Sequence, residues 1–296
     1  MNDTWFGLDA TFLKRLERLS VRNRLAMPGP SAGPRRSTRH GSSVEFADFR
    51  DYTPGDDFRR IDWNAYARLN RLFLRLYSAE EMTTLTLFLD HSSSMSFGDP
   101  SKALTGARLA AVLSFVALHN YDRVAIAGWA ERIDSYLPPK SGRRAVHRVW
   151  GAIGEAIASF DGATDFAALK EHRRFRTGPG LAIVLSDLMT ESDWRTGLKS
   201  LRGARQEVTV IQLLTPPEIN PVLRGDWRLR DAETGATTDV TVSPRLLRRY
   251  QEELAEYTAE VTAFCRQQQI TFLRLVSDDG LIDRVLQDMR TAGILA

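Results

Sequence analysis

Asp90, Ser92 and Ser94 stand at alternate positions within Thr83 to Phe97, which reads TTLTLFLDHSSSMSF. In an extended chain, alternate side chains share a face. The spacing therefore predicts that one carboxylate and two hydroxyls converge. All are hard oxygen donors, suited to Mg²⁺, Mn²⁺ or Ca²⁺ rather than zinc. Two other stretches offer similar chemistry. Gly162-Ala163-Thr164-Asp165 precedes a helical pattern, where Thr164 either adds a hydroxyl to the set or caps the helix. Ser186-Asp187 ends an apolar run just as Asp90 does. If the two runs are neighbouring strands, both carboxylates meet at one sheet edge. Close carboxylates repel unless a cation joins them.

The elements that must position these groups are legible. Thr84 to Leu89, Leu181 to Leu185, Val208 to Leu214 and Ile270 to Val276 are uncharged or nearly so and rich in β-branched and apolar residues. Such runs predict strands buried on both faces, as in a parallel sheet. Arg123 to Trp129 adds a strand, with Arg132 to Leu137 as its hairpin partner closed by Pro138-Pro139. Helices are expected at Leu8 to Val21, Ala103 to His119, Gly142 to Phe160, Asp165 to Arg174, Trp194 to Leu201, Ser243 to Gln268 and Asp279 to Thr291. Ser243-Pro244 is a strong start signal, with Ser as N-cap and Pro at the first helical position. Trp227 to Arg230 and Thr237 to Val242 flank Glu233-Thr234-Gly235 and predict a hairpin. Alternation of strands and helices gives an α/β fold with the sheet covered on both sides, and ligands in such sheets sit at the carboxyl ends of the strands.

Composition narrows the function classes. The chain has 296 residues, 43% hydrophobic and 26% charged, with a net charge of +3. That excess is too small to argue for nucleic acid. A single cysteine, Cys265, rules out an intrachain disulfide and predicts a buried thiol in a reducing compartment. No apolar run reaches the ~20 residues of a membrane span, so the expected location is cytoplasmic. Gly29-Pro30-Ser31-Ala32-Gly33 has the G-x-S-x-G form of serine hydrolases, but it lies in a Pro/Gly/Ser/Arg stretch, Pro28 to Arg39, without the strand and helix that motif needs. No G-x-x-x-x-G-K phosphate loop occurs, which excludes a P-loop ATPase.

Gly41 to Glu80 interleaves Arg and Asp with aromatics, which predicts a partly buried ion-pair network. Within it, Gly41-x-Ser43-x-Glu45-Phe46, Arg50-x-Tyr52-x-Pro54-Gly55-Asp56-Asp57-x-Arg59-x-Ile61-Asp62-Trp63 and Ala67-Arg68 resemble the signature of the bacterial domain-of-unknown-function family 58. Asp90-x-Ser92-x-Ser94, Thr164 and Asp187 resemble the metal-ion-dependent adhesion site of von Willebrand factor A domains, to which that family joins its signature. The chain departs from the pattern at Ser43, Ala163 and Leu188, where glycine is common. The resemblance covers roughly residues 37 to 290. It implies a Rossmann-like, doubly wound sheet of order 3-2-1-4-5-6 with an N-terminal β-containing extension. The implied division is an N-terminal helix and linker (1–36), a signature segment packed on the core (37–80), and a von Willebrand A-like domain (81–296) with a hairpin insertion near 227–242. It also implies a MoxR-type AAA+ ATPase as partner, in chaperone-like maturation of other proteins.

The expected function is thus a metal-dependent interaction module rather than an enzyme. Mg²⁺, or Mn²⁺ or Ca²⁺ in its place, is held by Asp90, Ser92, Ser94, Thr164 and Asp187, with a position left for an Asp or Glu of the ATPase or of a client protein. Two alternatives stand beside it. One is a metal-dependent phosphoester hydrolase, for which His91 is the nearest base, although it reads as a partly exposed loop residue. The other is a metal-free scaffold binding through its Arg-rich segment, Arg35 to Arg75. Nucleic acid is not expected, because Asp48, Asp51, Asp56, Asp57 and Asp62 lie among those arginines.

Overall fold

The computed structural model describes residues 5–20, 44–54, 56–79, 83–160, 162–175, 177–277, 287 and 291. The Pro28 to Arg39 stretch, Gly41 to Ser43 and Gly55 of the signature, and nearly all of the helix expected at Asp279 to Thr291 lie outside these residues. The chain forms two compact units, one of residues 1–25 with 83–296 and the other of residues 26–82.

In the smaller unit, β1 (Val44–Asp51) pairs antiparallel with β2 (Phe73–Ala79), with a register shift between Phe46 and Asp48. Between them lies α2 (Trp63–Leu69). Asp62 caps it by accepting from the amides of Asn64 and Ala65, and Asn70 ends it in the left-handed region at φ 50°. Ion pairs do form here, Arg50 with Asp56 at 2.8 Å and Arg71 with Asp51 at 3.1 Å. Among the described residues Asp56 is half-buried and joined to both Arg50 and Thr53, whereas the second pair lies in solvent. Arg71 and Asp51 are exposed, as are Phe58, Trp63 and Tyr66. This unit is too small to cover its aromatics, and exposed pairs contribute only ~0–1 kcal/mol each.

The larger unit opens with the short α1 (Ala10–Leu16), capped by Asp9. Its sheet contains β3 (Thr84–Asp90), β4 (Arg123–Trp129), β5 (Ile133–Ser141), β6 (Gly180–Ser186), β7 (Gln206–Leu214) and β10 (Thr271–Val276), with spatial order β10-β7-β6-β3-β4-β5. Counting only these strands in chain order, that is 3-2-1-4-5-6. All neighbours are parallel except β4 with β5. β5 is the antiparallel outer strand and runs through Pro138 and Pro139, where the sequence suggested a stop. The ladder register shifts opposite them, between Val124 and Ile126, which accommodates residues that cannot donate.

Two cores form because side chains on β3 alternate. Leu85, Leu87 and Leu89 join the core beneath α3 (Lys102–His119) and α4 (Val146–Ala156), and Leu8, Leu16 and Leu19 complete it. Phe88 joins the opposite core, with Phe166 and residues of α5 (Trp194–Gly203) and α7 (Pro244–Gln267), Cys265 among them. By length and composition α3 alone among the described helices is apolar enough to cross a membrane, but 83% of that window is buried inside the fold, as a core helix is. The helix expected at Asp165 to Arg174 is a 3₁₀ segment, Phe166–Phe175. α5 packs on it so closely that a Cβ at Gly197 would stand 2.4 Å from the Phe166 carbonyl oxygen. The remaining elements are α6 (Pro216–Ile219) and an exposed antiparallel hairpin, β8 (Gly225–Arg230) with β9 (Thr237–Val242).

Candidate functional site

β3 and β6 are adjacent, so the ends of both strands deliver carboxylates to the same edge. Asp90 and Asp187 are both buried. Ser92 and Ser94 reach the site by a route other than the extended alternation the sequence suggests. A 3₁₀ turn, Ser93–Ser96, follows Ser92 and brings the two hydroxyl oxygens to 3.2 Å from each other. Ser94 Oγ then donates to Asp187 Oδ2 at 2.8 Å. Thr164 does not cap the following segment. Asp165 does, accepting from the Ala167 amide, which frees Thr164 Oγ1 to lie 3.1 Å from Asp90 Oδ2.

The three loops are tied to one another. The Ser93 amide donates to the Gly162 carbonyl at 3.2 Å, and Thr190 Oγ1 donates to the Thr164 carbonyl at 2.7 Å. After Asp187 the chain turns through Leu188 at φ 58°, where the related pattern commonly has glycine. A bulky residue in the left-handed region carries strain. Here Leu188 is fully buried, its carbonyl accepts from Tyr257 Oη at 2.6 Å, and its amide donates to Ser186 Oγ at 3.1 Å. Those bonds and the apolar burial of its side chain hold the turn that aims Asp187.

The sequence did not reveal Lys102, Ser186, Glu218 and Glu233 as site residues. Lys102 is buried at the start of α3, with Nζ 2.6 Å from Asp187 Oδ2 and 2.6 Å from Glu218 Oε1. Burial acts to lower its pKa, but the Asp187 and Glu218 charges outweigh that and the net direction is upward. Its signal in the sequence was a charge opening an otherwise apolar helical run. Asp90 has no such partner. Its oxygens accept from Ser186 Oγ at 2.5 Å, the Ser92 amide at 3.0 Å and Thr164 Oγ1. Burial, and after it the Asp187 charge, push the Asp90 carboxyl up to about 6 despite those bonds. Glu233, at the tip of the β8–β9 hairpin, has Oε1 3.4 Å from both the amide and the hydroxyl of Thr164. Burial, with Asp187 contributing, raises its pKa.

His91 corrects the sequence reading. It is buried rather than partly exposed, because its amide extends the β3–β4 ladder to the Trp129 carbonyl and its Nε2 lies 3.0 Å from Asp134 Oδ1.

The donor set fits a small hard cation. Ligands at right angles on Mg²⁺, with bonds of 2.0–2.1 Å, stand roughly 3 Å apart. The separations of 2.8, 3.1 and 3.2 Å between Ser94 and Asp187, Thr164 and Asp90, and Ser92 and Ser94 are hydrogen-bond distances that are also compatible with that spacing, although Lys102 Nζ already occupies one side of Asp187 Oδ2. Among the described residues no three His, Cys, Asp or Glu side chains gather as a metal cage. Hydroxyls dominate the set instead, as suits oxygen-seeking ions rather than thiophilic ones.

Comparison with known proteins agrees with the family resemblance from residue 48 onward. The DUF58 family, described as a protein family of unknown function, matches residues 48–260, and the chain belongs to it. An uncharacterized protein of Mycobacterium tuberculosis, Rv1480, is 29% identical over 94% of this chain and 86% of its own length. An uncharacterized protein of Mycobacterium avium, MAV169, is 30% identical over 44% of this chain and 75% of its own. Among solved structures, a conserved hypothetical protein BatB from Bacteroides thetaiotaomicron is similar at a TM-score of 0.43 and 14% identity, over 71% of this chain and 98% of that one.

Proposed function

We propose that this chain is a metal-dependent protein-interaction module of the von Willebrand A type, with Asp90, Ser92, Ser94, Thr164 and Asp187 as the metal site. The observation that carries the reading is the contact of Thr164 Oγ1 with Asp90 beside that of Ser94 Oγ with Asp187. Residues far apart in the chain bring alternating carboxylates and hydroxyls to ligand-like spacing at the carboxyl edge of a 3-2-1-4-5-6 sheet. A divalent cation held there supplies an electrophilic centre for an acidic side chain of another protein. Ser92, Ser94 and Thr164 contribute neutral oxygens, so little anionic charge is spent on the ion. Lys102 is one positive charge shared by Asp187 and Glu218, and Asp90 has no cationic partner at all. His91 hydrogen-bonds Asp134 and, among the described residues, none of the five site residues, which gives no support to a role as hydrolytic base there. The family resemblance supplies the partner class: a MoxR-type AAA+ ATPase, or a client handled with it, in the cytoplasm.

The test is titration of the purified chain with Mg²⁺ and Mn²⁺, and of its cognate MoxR-type ATPase with and without chelator. Asp90→Ala is expected to weaken metal affinity by more than about 100-fold, since even outer-shell losses cost 10–100-fold. ATPase binding should be lost equally to chelator and to this substitution. Metal affinity unchanged in Asp90→Ala refutes the site, and ATPase binding indifferent to chelator refutes its use.

A further inference from the structure

The β8–β9 hairpin stands out from the larger unit. Every residue from 224 to 239 is exposed except Glu233, at its tip. The arms bury almost nothing, yet the tip carries a carboxylate partly out of water, onto Thr164 and toward Asp187. Left to itself, that placement is unfavourable. A surface glutamate gives up hydration and approaches buried acids of like charge. In exchange it has one amide and one hydroxyl of Thr164, each at 3.4 Å, too long to offset the loss. The arrangement is favourable if a cation sits among Thr164, Asp90 and the Glu233 carboxylate. The separation of Glu233 Oε1 from Thr164 Oγ1 is within a few tenths of an ångström of adjacent ligand positions.

We propose that the β8–β9 hairpin is a tethered acidic ligand, in which Glu233 takes the coordination position beside Thr164 that an incoming Asp or Glu of a partner must claim. The hairpin then gates the site. A partner binds by exchanging its own carboxylate for the internal one, so release of a largely exposed hairpin accompanies each engagement. This inference rests on the metal-site reading above and adds to it an occupant for the open position.

Mn²⁺ alone is the probe, applied to the full chain, to Glu233→Ala and to Asp90→Ala. Affinity and the number of exchanging water molecules are read by water proton relaxation. Hairpin protection is read by hydrogen exchange of residues 225–242 with and without the ion. Mn²⁺ is expected to slow exchange in the hairpin of the wild type but not of Glu233→Ala. Glu233→Ala should bind Mn²⁺ roughly 10-fold more weakly and show one additional water on the ion. Wild-type binding that depends on Asp90 but is matched by Glu233→Ala in affinity, water number and hairpin exchange overturns the tethered ligand and leaves the metal site standing. Absence of Asp90-dependent Mn²⁺ binding in the wild type overturns both.

Discussion

The ends of β3 and β6 present the same group in opposite circumstances. Each finishes a buried strand with a carboxylate that is almost entirely hidden. Asp187 is met by a buried ammonium, and Lys102 is in turn shared with Glu218. Asp90 is met only by hydroxyls and an amide. A buried ion pair with further hydrogen bonds is self-sufficient, whereas a buried carboxylate with neutral partners either keeps its proton or finds a cation. The strand ends therefore divide the labour. At the β6 end a fixed ammonium already meets part of the carboxylate charge, and at the β3 end only a mobile ion can do so.

Removing the fixed cation should have the largest effect. Lys102→Met leaves Asp187 and Glu218 without it and is expected to cost roughly 3–5 kcal/mol, the usual penalty for breaking a buried pair. That corresponds to a fall of roughly 6–20 °C in melting temperature. Calorimetry in chelator checks it. Saturating Mg²⁺ should recover more of the loss in this variant than it adds to the wild type. No recovery would mean that the two strand ends do not share one cation-binding region.

The second prediction concerns protons. The Asp90 carboxyl is held up to about 6 in the fold against an ordinary 3.8. The folded metal-free chain therefore binds the extra proton between those values, and its stability declines as pH rises through that window. Metal requires the deprotonated form. Mn²⁺ affinity should be flat above neutrality and fall by about tenfold per pH unit below about 6, one proton being displaced. Affinity constant down to pH 4.5 would place the metal elsewhere.

The smallest effect is a shift of the pH profile. Ser186→Ala removes the shortest bond to Asp90 and also the acceptor of the Leu188 amide, so the shift is read separately from any loss of affinity above neutrality. The pH at which metal affinity starts to fall should move upward by roughly half a unit to one unit, since a bond of ~1 kcal/mol to the charged form is lost. A matched pH titration of the two proteins reads the shift, and no upward movement would show that the Ser186 hydroxyl does not favour the charged form.

Much of this was legible in advance, and the limits have physical causes. Apolar runs without charge located β3, β6, β7 and β10 because a strand covered on both faces tolerates little else. The meeting of Asp90 and Asp187 could be anticipated because strand ends in such sheets share an edge, whereas Thr164 was left open between site and cap and Ser92 and Ser94 arrive through a 3₁₀ turn rather than by extended spacing. Lys102 and Glu218 were not anticipated, since their meeting depends on how α3 and α6 are placed in three dimensions, and neither residue lies in a pattern of its own. Glu233 read as an ordinary turn residue because its partner lies 69 residues away. His91 was misjudged for a related reason. The motif gave its spacing from Asp90 but not the burial that the β4 end imposes on it.

Pro138 and Pro139 on β5 have a consequence for how this protein meets others. An outer strand with free amides invites any extended polypeptide to hydrogen-bond alongside it, without regard to sequence. Two successive imino acids and a slipped ladder deny that rim a regular row of donors. Recruitment through backbone zippering is thereby suppressed on that flank, and adhesion there has to proceed by side-chain chemistry.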